Sequence, residues 1–223
     1  KTNAYWLDDY ALFMALKGAH GGAAWQDWEA PLRNREPLAL ERARRALGED
    51  ISFWKGVQFL FFRQWRALKD CAGRRGVRII GDLPIYVSGD SVDVWAHPEQ
   101  FQLDGDRLPH EVAGVPPDAF SDEGQLWGDP VYNWNEMKKG GYRWWKERID
   151  YALEVFDIVR IDHFRGFDRF YAIPAGSGNA KRGEWLDGPK AVLFEGLESS
   201  PIVAEDLGII DDGVRALLKK TGY

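Results

Sequence analysis

The sequence predicts an α/β fold built on parallel strands, a partial (β/α)8 TIM barrel, and two observations predict it. Three apolar runs each end in an acidic residue: 77–82 at Asp82, 156–162 at Asp162 and 201–205 at Glu205. Strands covered on both faces read as short β-branched runs, and a β/α barrel collects its chemistry where such strands end. Each run also follows a helical pattern, so helix-then-strand recurs three times, the alternation that calls for a parallel sheet with right-handed crossovers. Three units fall short of the eight that close a barrel of about 250 residues. The 223-residue chain therefore reads as an internal fragment of a longer protein. A small open doubly wound sheet is the alternative, but neither a Gly-rich dinucleotide turn nor a P-loop follows any run.

Taken in order, the spacing of Trp6 or Leu7, Tyr10, Phe13 and Met14 predicts an amphipathic helix from Asn3, its cap, to Lys17, with Gly18 as its stop. Pro37 opens a short helix through Leu47, and Ser52 caps a longer one through Cys71, in which Phe53, Val57, Leu60, Phe61, Gln64 and Leu68 trace one face. Helices at about 142–153 and 189–197 lead into the second and third runs, and Asp212 caps a last helix through Lys220. One partial catalytic barrel domain thus covers 1–223. It comprises a helical and loop insertion over 1–50, a first helix–strand unit over 51–82, a long aromatic-rich active-site loop over 83–140, and two further units over 141–223. A loop of that length far exceeds the usual strand-to-helix connection of about 4 to 6 residues, which marks it as functional or disordered, and its Trp, Tyr and Phe favour function.

Composition narrows the function. A chain 45% hydrophobic and 29% charged is ordinary for a globular protein, and a net charge of -6 without concentrated Lys and Arg argues against nucleic acid as a partner. No apolar run is long enough to span a bilayer, so no membrane partner is expected. Cys71 is the only cysteine, which rules out an internal disulfide and fits a cytoplasmic location. Eleven Trp, several in segments rich in Gly, Pro and Asp (Trp25, Trp28, Trp95, Trp127, Trp134), suggest flat apolar faces on loops for ligand recognition.

Arg160 and Asp162 lie two apart on a strand and so share a face. A guanidinium within a few ångströms favours the ionised carboxylate, which suits Asp162 to nucleophilic attack; a structural ion pair is the plain alternative. Glu205 follows Pro201, Ile202, Val203 and Ala204 with no basic residue nearby in sequence. That apolar setting favours a carboxyl that stays protonated and serves as general acid, although Glu205 or Asp206 could equally cap the next turn. Two carboxylates about 5 to 5.5 Å apart define retaining glycoside chemistry. Asp82 before Pro84 reads equally as a turn residue or a ligand contact; His163 could donate to a bound hydroxyl, though a lone histidine is more often a structural residue. A Mg²⁺ cage of the three carboxylates competes, but Arg160 among them argues against it, and no metal is expected.

Six longer strings run in order along nearly the whole chain: Trp6-Leu7-Asp8-Asp9-Tyr10-Ala11-Leu12-Phe13, Gly81-Asp82-Leu83-Pro84-Ile85-Tyr86-Val87, Gly114-Val115-Pro116-Pro117-Asp118, Gly124-Gln125-Leu126-Trp127-Gly128, Arg160-Ile161-Asp162-His163-Phe164-Arg165-Gly166 and Ala204-Glu205-Asp206-Leu207-Gly208. With them the chain resembles the 4-alpha-glucanotransferases, also called amylomaltases or disproportionating enzymes, relatives of the alpha-amylases. The resemblance implies transfer of alpha-1,4-glucan segments by retaining double displacement, with alpha-1,4-glucans and maltooligosaccharides as partners and no cofactor. It implies Asp162 as nucleophile and Glu205 rather than Asp206 as general acid/base, with Arg160, His163 and Asp82 lining the sugar site. Residues 116–130 become a mobile loop over the glucan groove, with Asp118, Gln125 and Trp127 near sugar subsites. The family pattern has an aromatic residue after Pro-Pro-Asp where this chain has Ala119. It also implies a third carboxylate in a Thr-His-Asp segment beyond Tyr223 and barrel strands before Lys1. An alpha-glucan hydrolase with the same site, or a segment that binds glucan without turnover, are the alternatives.

Overall fold

The computed structural model describes residues 3–205, 207, 208 and 210–223, which fall into two compact units. The first, Lys1–Gly76 with Asp90–Pro98 and Asp106–Leu108, is helical: α1 (Ala4–Ala19), α2 (Ala30–Arg33), α3 (Pro37–Ala46), α4 (Gly48–Gly73) and α5 (Val92–Ala96). Ala11, Leu12, Phe13, Ala15 and Leu16 form the buried stripe of α1. Asn3 makes no side-chain cap there, and the helix runs past Gly18 to Ala19.

Three of the loop tryptophans are core rather than ligand faces: Trp25, Trp28 and Trp95 are 0%, 2% and 1% exposed. The Phe13 ring centroid lies 5.5 Å from that of Trp28 and 5.7 Å from that of Trp95, and the Arg35 guanidinium lies 4.2 Å above the Trp95 ring. Segments without periodicity can still be buried when their polar tips are satisfied, as the Trp95 indole is by the Leu32 carbonyl at 3.0 Å.

Helix α4 starts at Gly48, not at a Ser52 cap; the Ser52 hydroxyl donates back to the Gly48 carbonyl at 2.8 Å. The face that packs on α1 carries Trp54, Gln58 and Phe62, which meet Tyr10 and Trp6. The face traced by Phe53, Val57, Leu60, Phe61, Gln64 and Leu68 is the other one: Phe53, Leu60, Phe61 and Leu68 are exposed, so α4 carries apolar residues on two faces.

The second unit, Val77–Gly89, Glu99–Gly105 and Pro109–Tyr223, holds two sheets. Its strands are β1 (Ile80–Leu83), β2 (Glu111–Val115), β3 (Gln125–Pro130), β4 (Ile158–Ile161), β5 (Arg169–Pro174), β6 (Glu184–Asp187) and β7 (Ile202–Ala204); its helices are α6 (Trp134–Lys139), α7 (Arg143–Val155) and α8 (Asp212–Thr221). Strands β1, β4 and β7 form the predicted parallel sheet, in the order β1-β4-β7. Helix α7 buries Trp145, Ile149 and Ala152 and packs on β1 and β4, whose Leu83, Val159 and Ile161 are buried. Gly81 is required on this side, because a Cβ there would stand 2.0 Å from the Phe156 ring.

The segment 83–140 is not one long loop. It contributes β2 and β3 to a four-stranded antiparallel sheet of order β3-β2-β5-β6, whose other half comes from beyond β4. Val112, Tyr171, Ile173 and Ala180 make its small core, with Trp185 packed against them. Gly114 admits the close approach of β3: a Cβ would lie 2.2 Å from the Gln125 carbonyl oxygen. The helix expected over 189–197 is a 3-10 turn, Lys190–Phe194, cut short by Gly196 at φ +90. Asp211, not Asp212, caps α8, accepting from the Val214 amide at 3.0 Å. Among the described residues no helix is long and apolar enough to cross a membrane.

Candidate active site

The parallel register decides which side chains meet. Asp82 pairs with Arg160 and Arg160 with Val203, one residue before the row in which Ile161 pairs with Ala204. Side chains alternate along a strand, so Asp82, Arg160 and Asp162 share one face with Val203 and Glu205, opposite the face buried against α7. Ile80 and Val203 are exposed on that charged side. Asp82 therefore stands within β1 as a strand residue rather than as a turn former, and Asp162 and Glu205 directly follow the ends of adjacent strands.

Arg160 ties the three acids together. Its guanidinium lies 2.5 Å from the Asp82 carboxylate, 2.9 Å from Asp162 and 3.2 Å from Glu205. Glu205 thus has a cation beside it that the sequence run conceals. Even so, its carboxyl is held above the usual glutamate range, first by burial and then by the Asp162 charge and hydrogen bond, against the opposing pull of the His163 amide and Arg160. The two acids differ in setting: the Glu205 side chain is 14% exposed and that of Asp162 40%. Arg160 occupies the centre that a metal ion would need, and among the described residues no group of three or more His, Cys, Asp and Glu is placed to hold one. Asp206 lies outside the described residues.

A cavity of about 250 Å³ opens beside the carboxylates. Asp162, Glu205, His163, Asp118, Gln125 and Trp127 all line it, so six of the eight expected site residues converge; Asp82 and Arg160 do not line it but form the ion-pair row behind Asp162 and Glu205. Trp127 is exposed, with its indole donating to Gln125 at 3.1 Å and its ring set edge-on to His163 at 4.9 Å. His163 takes a left-handed backbone, φ 50, at the start of the turn, and its amide donates to the Glu205 carboxylate. Burial and the Arg165 charge push its imidazole down to about 4, so the ring is neutral at working pH.

Asp118 has a second duty: its carboxylate accepts the Phe120 and Ser121 amides, each at 2.8 Å, and so shapes the loop. Beside Ala119, Phe120 stands 99% exposed at the tip of this turn. Sequence reasoning missed Arg165 and Trp185 in the cavity wall. Arg165 is only 6% exposed and stacks 4.0 Å over the Trp185 ring. Nothing local signals the pair, because the strand that carries Trp185 was itself not foreseen.

A family model described as 4-alpha-glucanotransferase matches residues 1–223. The chain belongs to the 4-alpha-glucanotransferase family. It is 52% identical to the 4-alpha-glucanotransferase of Thermus thermophilus over all of this chain and 45% of that protein, and 49% identical to that of Aquifex aeolicus over 97% of this chain and 45% of that protein. Among solved structures, the amylomaltase of Streptococcus agalactiae in complex with acarbose superposes with a TM-score of 0.96 at 43% identity, over all of this chain and 46% of that one. The amylomaltase of Corynebacterium glutamicum, at 21% identity and a TM-score of 0.75, shares the fold. The chain spans about 45% of the length of the curated relatives it matches first.

Four of the strings that carry the glucanotransferase resemblance meet around one cavity. Val115, Pro116 and Asp118 come from the first, Gln125 and Trp127 from the second, and Asp162, His163 and Arg165 from the third. Glu205, Leu207 and Gly208 come from the fourth.

Proposed function

We propose that this chain carries the nucleophile and the acid/base of a 4-alpha-glucanotransferase that moves alpha-1,4-glucan segments between maltooligosaccharides by retaining double displacement. The observation that carries the reading is the pairing of Asp162 and Glu205 at the ends of neighbouring parallel strands, within hydrogen-bond reach of each other and unlike in environment. That closeness fits a retaining pair rather than an inverting one, whose carboxyls stand about 6.5 to 9.5 Å apart to admit water.

In the first step an Asp162 oxygen attacks the anomeric carbon of the donor glucan. The bond from that carbon to the leaving O4 breaks, and the Glu205 proton passes to that oxygen. In the second step the Glu205 carboxylate takes the proton of an acceptor hydroxyl, which attacks the same carbon and releases Asp162. Two inversions give retention. Burial equips Glu205 to hold its proton, and Arg160 stands 2.9 Å from the Asp162 carboxylate as its ion-pair partner. Trp127 offers a face to sugar C–H groups, and Gln125 and the neutral His163 offer polar contacts. The activity is that of the intact protein, and Cys71 as the lone cysteine of this chain fits a cytoplasmic setting.

The test is Asp162→Asn in the intact protein with maltotriose as donor and acceptor. Glucose release together with longer oligosaccharides is expected from the wild type, and a loss of about 10⁴-fold in the variant. Wild-type rates in the variant end the assignment. Shorter sugars alone from the wild type make the protein a hydrolase with the same site.

A further inference from the structure

We infer that Arg165 is a positioning residue: held between the Trp185 ring and the Asp211 carboxylate, it fixes the turn that aims the His163 amide at Glu205. The inference rests on the acid/base role proposed for Glu205. It starts from a backbone that is not at ease. His163 is a β-carbon residue in the left-handed region at φ 50, a conformation that persists only where its surroundings impose it. Its amide is the one that donates to the Glu205 carboxylate. The turn closes through the Gly166 amide to the His163 carbonyl at 2.9 Å, and the Asp168 amide to the Arg165 carbonyl at 2.9 Å continues it.

Gly166 sets one side of this turn, since a Cβ there would lie 2.6 Å from Ile85 and 3.1 Å from the His163 ring. Arg165 sets the other. A guanidinium 6% exposed is costly to keep charged unless it is compensated, and burial does lower its hold on the proton. Compensation comes from the Trp185 ring at 4.0 Å and from Asp211 at 3.6 Å. Neither partner belongs to the strand that delivers Asp162: Trp185 lies on β6 and Asp211 caps α8. Arg165 and Trp185 also both line the cavity. One side chain therefore links the wall of the pocket to the backbone that holds the acid/base.

The experiment uses the intact protein with Arg165→Met, Arg165→Lys, Trp185→Ala and the Met/Ala double variant, measuring kcat and KM on maltotriose across pH alongside thermal melts. Glu205 is faced by Arg160, Asp162 and the His163 amide; losing the aim of that amide removes a contact that favours its ionised form. The alkaline limb of kcat/KM therefore moves to higher pH in Arg165→Met, and kcat falls by about 10²-fold. Lysine keeps the charge but not the planar stack, so it restores neither. The double variant is no worse than Arg165→Met alone, because the two side chains act as one unit.

An unmoved alkaline limb in a folded Arg165→Met or Arg165→Lys protein overturns the inference, as do strictly additive losses. If Arg165→Met does not fold, Arg165→Lys and Trp185→Ala decide. Failure of the underlying reading looks different: the wild type then makes no transfer products, or Asp162→Asn keeps its rate.

Discussion

The two sheets of the second unit contribute to the site in different ways. The parallel strands β4 and β7 end on Asp162 and Glu205, and with β1 they hold Arg160 in an ion-pair row whose geometry follows from strand register alone. The antiparallel sheet and its connecting loop supply Trp127, Gln125, Asp118 and Trp185, placed by a bulge in the β2–β3 pairing, by positive-φ glycines at 124 and 128, and by an aspartate-closed turn. The difference teaches that the residues proposed to react sit at the ends of the parallel strands, while those proposed to read a ligand sit on the short antiparallel strands and the loop that joins them. Substitutions in the first set should change the chemical step, and those in the second should change affinity.

The sharpest way to break this division is Glu205→Gln. Removing a general acid costs about 10²- to 10⁴-fold in kcat on maltotriose. A maltosyl fluoride donor, whose leaving group needs little protonation, should recover much of the first step, as initial fluoride release will show. The same carboxyl sets a pH signature. Its folded-state proton affinity is raised, so kcat/KM declines on the alkaline side at a pH above the ordinary glutamate range near 4.3. The raised value also means that wild-type stability falls as pH rises through it, and Glu205→Gln abolishes that fall. An alkaline limb unchanged in Glu205→Gln would assign the proton to another group.

His163 sharpens the comparison from the stability side. Its imidazole titrates near 4 in the folded state against 6.5 in the open chain, because burial and Arg165 oppose the charge. Below about pH 6.5 the unfolded chain takes up a proton that the folded one refuses, so stability drops between there and pH 4, by on the order of 3 kcal/mol. His163→Asn should flatten this part of the melting-temperature profile. An unchanged profile would place the proton-refusing group elsewhere.

How much of this was legible follows from the range of the interactions. An apolar run ending in an acid is a local pattern, and Asp162 and Glu205 could be singled out from it. The Arg160 contact to Glu205 could not, because it depends on β7 lying next to β4. Strands β2 and β3 carry Gly114, Gly128 and Pro130, so their stretch reads as loop, and the sheet they enter is completed only where β2 pairs with β5 some sixty residues on, as Glu111 with Pro174. Tryptophan had to be told apart by burial: Trp25, Trp28 and Trp95 pack in the helical unit, while Trp127 reaches the cavity. The face of α4 shows the same limit, since an apolar stripe says that something covers a helix without saying which element does.

On the antiparallel side, Trp127→Ala should raise KM for maltotriose about tenfold with kcat nearly unchanged, the scale of one aromatic contact. A matching fall in kcat would instead move Trp127 into the group that acts on the transition state.

The smallest effect, and the finest test of the division, is expected at Asp118. Its carboxylate lines the cavity, yet it accepts two backbone amides within its own turn, so its charge and its shape can be separated. Asp118→Asn keeps an oxygen for the Phe120 and Ser121 amides and removes the charge; Asp118→Ala removes both. If the residue serves the loop, the asparagine variant stays within about threefold of wild type in KM, whereas the alanine variant loses a turn contact on the order of 1 kcal/mol and weakens glucan binding with it. If the carboxylate itself grips a sugar hydroxyl, both variants lose affinity alike. Equal losses would place Asp118 with the reacting residues in needing its charge, and would redraw the line between the two sheets at the loop rather than at the strands.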